Sequence, residues 1–128
     1  REKAPAGSPS RPGASNFYTQ YVSIGTTQLS VRAHAAVSPW AMAAAAEVVQ
    51  RMLEHSPSEV LERLERAGCS VAIIGRAQVS SDVPEHAWLS GAKTGDWEID
   101  STTRGLGGNP SVPVTSVGEE NLVDDEEE

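Results

Sequence analysis

Residues 38–75 read SPWAMAAAAEVVQRMLEHSPSEVLERLERAGCSVAIIG, and this stretch predicts helical structure followed by a buried strand. Ser38 is a good N-cap, and Pro39 suits the first helical position, where its missing N–H costs nothing. The helix is expected to run from Trp40 to His55. It carries a broad apolar stripe at i, i+4 spacing, which we expect to pack on a sheet. The stripe consists of Trp40, Ala44, Val48 and Met52, with their neighbours Ala41, Ala45, Val49 and Leu53.

A second helix start follows directly. Ser56 and Glu59 have the spacing of a capping box, with Pro57 again at the first helical position. Gly68 is placed where a helix C-terminus favours glycine. This helix is either separate from the first or its kinked continuation. Cys69–Ile74 is a short continuous apolar run, which suits a strand covered on both faces.

The flanking segments extend this pattern to a sheet. Leu29, Val31 and Ala33 alternate with polar residues, which predicts a strand, with a turn or bulge at Gly25. Two strands joined by a helical crossover normally lie parallel. A third strand or hairpin is expected over residues 112–123, at a sheet edge because of its prolines. The predicted fold class is α/β, with α+β as the alternative: a small mixed sheet with one long or kinked helix packed on it.

Composition and length predict one small domain. The chain has 128 residues and a formal net charge of −8. Residues 16–123 form the predicted domain, residues 1–15 are a Pro/Gly/Ser-rich segment expected to be disordered, and residues 124–128 are an acidic tail. The absence of a basic stripe argues against nucleic-acid binding, and no apolar run is long enough to span a bilayer. Cys69 is expected to be a small buried apolar residue.

Two motifs in the C-terminal part carry a family resemblance. They are Arg104-Gly105-Leu106-Gly107-Gly108 and Gly118-Glu119-Glu120-Asn121-Leu122, to which Asp82-Val83-Pro84-Glu85 can be added. With the order of predicted elements, they resemble the upper half of secreted zinc metallopeptidase-like proteins of the zincin type. The resemblance implies a zincin-like upper half-domain, a secreted or extracellular location and a strand at 118–122 that borders a substrate cleft. In those proteins the next element is a helix that bears H-E-x-x-H.

The zinc ligands of that family are missing from this sequence. H-E-x-x-H places two imidazoles one helical turn apart, with a carboxylate base between them. The three histidines here, His34, His55 and His86, have no such spacing. We expect His55 to favour a helix C-terminus and the other two to be solvated. The sequence therefore predicts no catalytic residue, no metal site and no cofactor.

The same two motifs supply the candidate binding residues, and each motif has two interpretations. The glycine turn either cradles an anion or is a simple tight turn. Glu119 and Glu120, as neighbours on a strand, would face opposite sides and so cannot form a catalytic carboxylate pair. They either border a cleft or protect an edge strand by charge. The candidate binding residues are Arg104, Gly105, Gly107, Gly108, Glu119, Glu120 and Asn121.

Two tryptophans in the 82–98 loop, Trp88 and Trp97, join this candidate surface as anchors for a protein or peptide partner that adds a strand to the sheet. The alternative is that both tryptophans plug the core. Three functions stay open: a non-catalytic binding or structural module derived from a secreted metallopeptidase-like protein, the N-terminal fragment of an active zinc metallopeptidase, and an accessory subunit of a larger assembly. The sequence leaves the oligomeric state open.

Overall fold

The computed structural model describes residues 17–94, 97–109 and 111–123 of the chain. The segments predicted to be disordered or to form an acidic tail, 1–15 and 124–128, lie outside the described residues. The described part is a small α/β fold, as the sequence predicts. It consists of a five-stranded mixed sheet, a two-stranded hairpin and helices on the sheet.

The main sheet has a parallel centre and antiparallel margins. Its strands are β1 (Gln20–Ser23), β2 (Ser30–Ala33), β3 (Ser70–Ile74), β6 (Gly105–Leu106) and β7 (Val114–Gly118). Their order across the sheet is β1-β2-β3-β7-β6. Strands β2, β3 and β7 are parallel, whereas β1 and β6 pair antiparallel with β2 and β7. The predicted parallel crossover from β2 to β3 is confirmed.

Two features of the sheet differ from the sequence prediction. The expected edge position of the strand in 112–123 is wrong, because the two residues of β6 pair along its outer side. Gly105 permits this pairing, since a Cβ there would lie 2.9 Å from the Ser116 carbonyl oxygen. The first hairpin strand, β1, was not predicted as a separate element. Gly25, with φ of +58°, forms the turn that leads into β2.

The crossover between β2 and β3 contains two separate helices, α1 (Pro39–Leu53) and α2 (Ser58–Ala67). The predicted N-cap of α1 is confirmed, because the Ser38 hydroxyl accepts a hydrogen bond from Trp40 N–H. The predicted capping box of α2 is wrong, since the helix begins one residue later and Pro57 occupies the cap without a side-chain bond. Gly68 ends α2 in the left-handed conformation, as predicted.

The long connection after β3 has local structure of its own. It contains 3-10 helices at Ser80–Asp82 and Pro84–Leu89, the small hairpin β4 (Lys93–Thr94) and β5 (Trp97–Glu98), and the single-turn helix α3 (Ile99–Thr102). This connection covers the sheet face opposite α1, where Val83 packs with Tyr18, Ala72 and Ile74. Strand β3 is therefore covered on both faces, as its continuous apolar run predicts.

The buried face of α1 is not the whole stripe that the sequence predicts. Its buried residues are Ala41, Met42, Ala45 and Ala46, which pack with Val31, Ala33 and Ile73 of the sheet. Val49 and Leu53 pack partly against this cluster, so the half of the stripe that begins at Ala41 is confirmed. The half formed by Trp40, Val48 and Met52 is exposed, and its assignment to the core is wrong. The alanines among the buried residues allow close approach of the helix to the sheet, and Met42 is the one large side chain that is fully buried on this side of α1.

The two methionines of α1 test which face of the helix is buried. Met42 is 2% exposed, whereas Met52 is 72% exposed. We expect Met42→Ala to lower the free energy of unfolding by about 2–5 kcal/mol because it leaves a cavity. Met52→Ala, the matched control, should change it by less than about 0.5 kcal/mol. Urea denaturation of the two variants measures both values, and equal losses would contradict the described orientation of α1.

Candidate functional site

Arg104 and Glu120, which the sequence proposes as binding residues, form an ion pair with each other. The Arg104 Nε and Nη2 atoms donate to the two carboxylate oxygens of Glu120 at 2.8 and 2.7 Å. The same guanidinium donates to the carbonyl oxygens of Gly75, at 2.9 Å, and of Gln78. These contacts connect the end of β3 with the turn after β7. The Arg104 guanidinium is therefore hydrogen-bonded to groups of the protein on both sides, the Glu120 carboxylate and the carbonyl oxygens after β3.

Glu119 lies beside this ion pair, at the corner of the fold where the end of β3, the start of α1 and the turn after β7 meet. The predicted strand through residues 119–121 is wrong, because β7 ends at Gly118 and Glu119–Asn121 form a 3-10 turn. This turn directs Glu119 inward, where it is 2% exposed. Its carboxylate accepts hydrogen bonds from Ser38 N–H at 2.8 Å and from Arg76 N–H at 3.2 Å. The carboxylate thus satisfies backbone donors at the start of α1 and after β3.

The hydrogen bonds from Arg104 determine the ionisation of Glu120. They lower the pKa of the Glu120 carboxyl from 4.5 to about 2. The same interaction raises the pKa of the Arg104 guanidinium. Both groups consequently stay charged across the neutral range. This pairing connects the end of β3 with the turn after β7.

The three glycines that the sequence places in one turn do not form a single tight turn. Gly105 lies in β6, while Gly107 and Gly108 are exposed beyond it. Gly108 N–H donates to the Thr115 hydroxyl at 3.1 Å, so this amide already has an acceptor. Asn121 is exposed on the 3-10 turn. The structure places Arg104, Glu119 and Glu120 together, and their binding role, with that of the glycines and Asn121, stays a prediction.

The structure describes the side chain of only one of the two tryptophans that the sequence proposes as anchors. Trp88 is 71% exposed on the 3-10 helix Pro84–Leu89, so the alternative that it plugs the core is wrong. The backbone of Trp97 lies in β5, but its side chain lies outside what the structure describes. Trp88 is therefore available to a partner on the sheet face opposite α1.

A buried polar cluster lies beneath this 3-10 helix. The Tyr18 hydroxyl donates to the Glu85 carboxylate, and burial raises the pKa of Tyr18. The Arg32 guanidinium lies over the rings of Tyr18 and Tyr21, with Nη1 4.0 Å from Glu85. His86 is 3% exposed, so the prediction that it is solvated is wrong, and burial lowers its pKa.

The histidines are not assembled into a metal site. His34 is partly buried and accepts a hydrogen bond from Ala36 N–H, whereas His55 is exposed just after α1. Within residues 17–94, 97–109 and 111–123, no three His, Cys, Asp or Glu side chains are grouped closely enough to hold a metal ion. In the same part of the chain, no helix is both long and apolar enough to cross a membrane.

One side of α1 exposes several large apolar side chains to solvent in the described part of the protein. Trp40, Val48 and Met52 are 65%, 51% and 72% exposed, and Ala44 lies between them at the same helical spacing. Sequence reasoning found this stripe but assigned it to the core. Residue size does not separate the two sides, since Met42 is buried with the alanines and Ala43 is exposed, and periodicity alone does not choose between adjacent stripes.

Comparisons with known proteins identify no relative of this chain. A scan against models of protein families, a search of curated proteins and a search of solved structures each found no match.

The adjacent glutamates of the corner test the importance of the buried carboxylate. Glu119→Gln should lower the free energy of unfolding by about 1.5–3 kcal/mol, because the amide cannot accept from both backbone donors as an anion does. Glu120→Gln should cost less than about 1 kcal/mol, since its ion pair is partly exposed. Chemical denaturation at pH 7 measures both values. A larger loss for Glu120→Gln would contradict the assignment of Glu119 as the structural centre.

The lowered pKa of Glu120 also predicts a pH dependence of stability. A carboxyl whose folded pKa is about 2 and whose ordinary pKa is 4.5 stabilises the fold fully above pH 4.5. This contribution is lost as the pH falls from 4.5 towards 2, because both states then bind the proton. The difference in unfolding free energy between wild type and Glu120→Gln should therefore shrink over that interval. Denaturation curves between pH 7 and pH 2 measure it, and a constant difference would refute the ion pair.

Proposed function

We propose that this domain is a non-catalytic binding module that docks a protein partner on the outer side of α1. The observation that carries the proposal is the exposed apolar stripe of Trp40, Val48 and Met52. Large exposed apolar side chains that are contiguous on one surface mark interaction sites, and tryptophan and methionine are enriched at interfaces. The resemblance to secreted metallopeptidase-like proteins adds an extracellular location to the proposal.

The shape of the stripe favours an amphipathic helix as the docking element of the partner. Helix α1 has 15 residues and is therefore about 22 Å long. Ala43 and Ala44 lie between its larger apolar residues, and such small side chains permit the 8–10 Å interaxial distances of packed helices. Glu47 and Arg51 pair with each other at 2.8 Å beside the stripe, which leaves little net charge there. A partner helix with bulky apolar residues at i, i+4 spacing suits this surface.

A second candidate function is the N-terminal part of an active zinc metallopeptidase. The observation that favours it is the position of the Glu119–Asn121 turn, which contacts Ser38 at the start of α1. In a longer protein, a catalytic helix outside the given residues could cover Trp40, Val48 and Met52 itself. The zinc ligands would then come from that helix. An accessory subunit is the related alternative in which the partner is a permanent neighbour.

The test compares binding by wild type, Val48→Glu/Met52→Glu and the charge-matched control Ala77→Glu/Ala87→Glu, whose positions are exposed elsewhere. A partner captured from the extracellular fraction of the source should be retained by the control and lost by the first variant. Trp40→Ala should weaken its affinity at least about 30-fold, as for a central interface residue. Calorimetric titration of the purified partner measures this change.

Three outcomes separate the alternatives. Equal retention of the partner by all variants would rule out the α1 surface as the docking site. Concentration-dependent dimers that Val48→Glu/Met52→Glu abolishes, measured by light scattering, would identify a second copy as the occupant. A natural sequence that continues into an H-E-x-x-H helix, with α1 protected from hydrogen exchange only in the longer protein, would favour the peptidase alternative.

A further inference from the structure

A cleft of about 440 Å³ opens on the sheet face that α1 covers. Its walls are the C-terminal half of α1, helix α2 and the N-terminal ends of the parallel strands. The side chains that matter for its chemistry are Val49, Leu53, Leu64, Val71, Cys69 and Thr115. The volume lies within the range of about 300–1,000 Å³ that is usual for small-molecule sites.

The cleft exists because α2 does not close onto the sheet. None of its residues is fully buried, and Leu64 is only partly covered. The Glu65 carboxylate accepts a hydrogen bond from Gln28 N–H at 2.8 Å, which ties α2 to the β1–β2 turn. Protein interiors normally pack without gaps of this size. The apolar sides of two helices and a sheet therefore face a common space that another molecule can fill.

The lining defines the chemistry of that molecule. Apolar side chains predominate among the described residues that line it, and none of these residues is charged. A charged group would therefore lose its hydration there without compensation. The Thr115 hydroxyl accepts from Gly108 N–H and donates to no group in the described part of the chain. Its O–H is free to donate to an oxygen of a ligand. Ser70 and Asn109 are the other polar residues of the lining, and the buried Ser70 hydroxyl also has no hydrogen-bond partner in the described part of the chain. The cleft thus combines an apolar body with a few polar groups, of which the Thr115 hydroxyl lies at the exposed rim.

We propose that this cleft binds an uncharged, largely apolar small molecule with one hydrogen-bond-accepting oxygen, of the class of medium-chain alcohols and ketones. The ends of the given chain are poor occupants by composition. Residues 1–16 contain alanine and proline as their only apolar residues, and residues 124–128 are all acidic. The inference is independent of the proposed partner surface, because Trp40, Val48 and Met52 do not line the cleft.

The probe for the test is 1-octanol, with octanoate as the charged control of equal chain length. Isothermal titration gives the dissociation constant of each. The single cysteine of the chain reports where the probe binds, because Cys69 lines the cleft. At ten times its dissociation constant, 1-octanol should slow alkylation of Cys69 by iodoacetamide about tenfold. Octanoate should bind more weakly and protect Cys69 less.

Four variants locate the site. Ala67→Phe fills the cleft from the exposed end of α2 and should abolish binding, whereas Ala87→Phe, on the other side of the sheet, should leave it unchanged. Thr115→Val should weaken 1-octanol binding about three- to tenfold, the value of one neutral hydrogen bond. Thr115→Ser, which keeps the hydroxyl, should restore it. These comparisons keep the test valid if one variant fails to fold.

Three results would overturn the proposal that the cleft binds an uncharged apolar molecule. Absence of heat and of Cys69 protection with 1-octanol overturns the proposal, as does equal protection by octanoate. Protection of Cys69 that rises with protein concentration in the absence of probe would identify a second copy as the occupant, and also overturns it. Val48→Glu/Met52→Glu should bind 1-octanol as wild type does, so failure of the partner proposal leaves this result unaffected.

Discussion

The buried carboxylate of Glu119 joins segments that are far apart in the chain, and the arrangement of the sheet and α1 depends on it. It accepts hydrogen bonds from Ser38 N–H and Arg76 N–H, which are 81 and 43 residues away. These donors lie at the first turn of α1 and just after β3, where backbone N–H groups have no partner of their own. The Arg104–Glu120 ion pair beside it joins the same β3 end to the turn after β7. One corner thereby fixes where α1 begins relative to the central strands.

The consequence for function arises from the orientation of α1. Once its start is held by Glu119 and its alanines face β2 and β3, the helix cannot bury its other apolar side against the same sheet. The second face of the sheet is already covered by the connection after β3, through Val83 and the Tyr18 cluster. The described part of the chain has no further layer for Trp40, Val48 and Met52. Exposed side chains of this size make no contribution to the core and are free to form an interaction surface.

Local signals predicted much of this fold from the sequence. Ser38 and Pro39, Gly68 and the apolar run of residues 69–74 act within a few residues, so the helix start, the end of α2 and the buried strand could be recognised. The rotation of α1 could not, because its apolar residues occupy two adjacent stripes and periodicity alone does not choose between them. The place of β7 inside the sheet could not either, since two residues of β6 supply its outer neighbour. The burial of His86 depends on the 3-10 helix Pro84–Leu89, which no periodic pattern in the sequence predicts.

The candidate site shows the same division between local and distant determinants. Sequence reasoning brought Arg104, Glu119 and Glu120 into one group, and the structure places them in one corner, but their partners are mostly backbone groups of the protein itself. Charged residues that are satisfied internally have less capacity to recognise another molecule. The exposed apolar side chains of α1 and the walls of the cleft beside α2 are different, because much of their apolar surface is not covered by other groups of the described protein. In this domain, the hydrogen-bonded charged residues of the corner stabilise the fold. The exposed apolar side chains of α1 and the cleft are the surfaces that can bind another molecule.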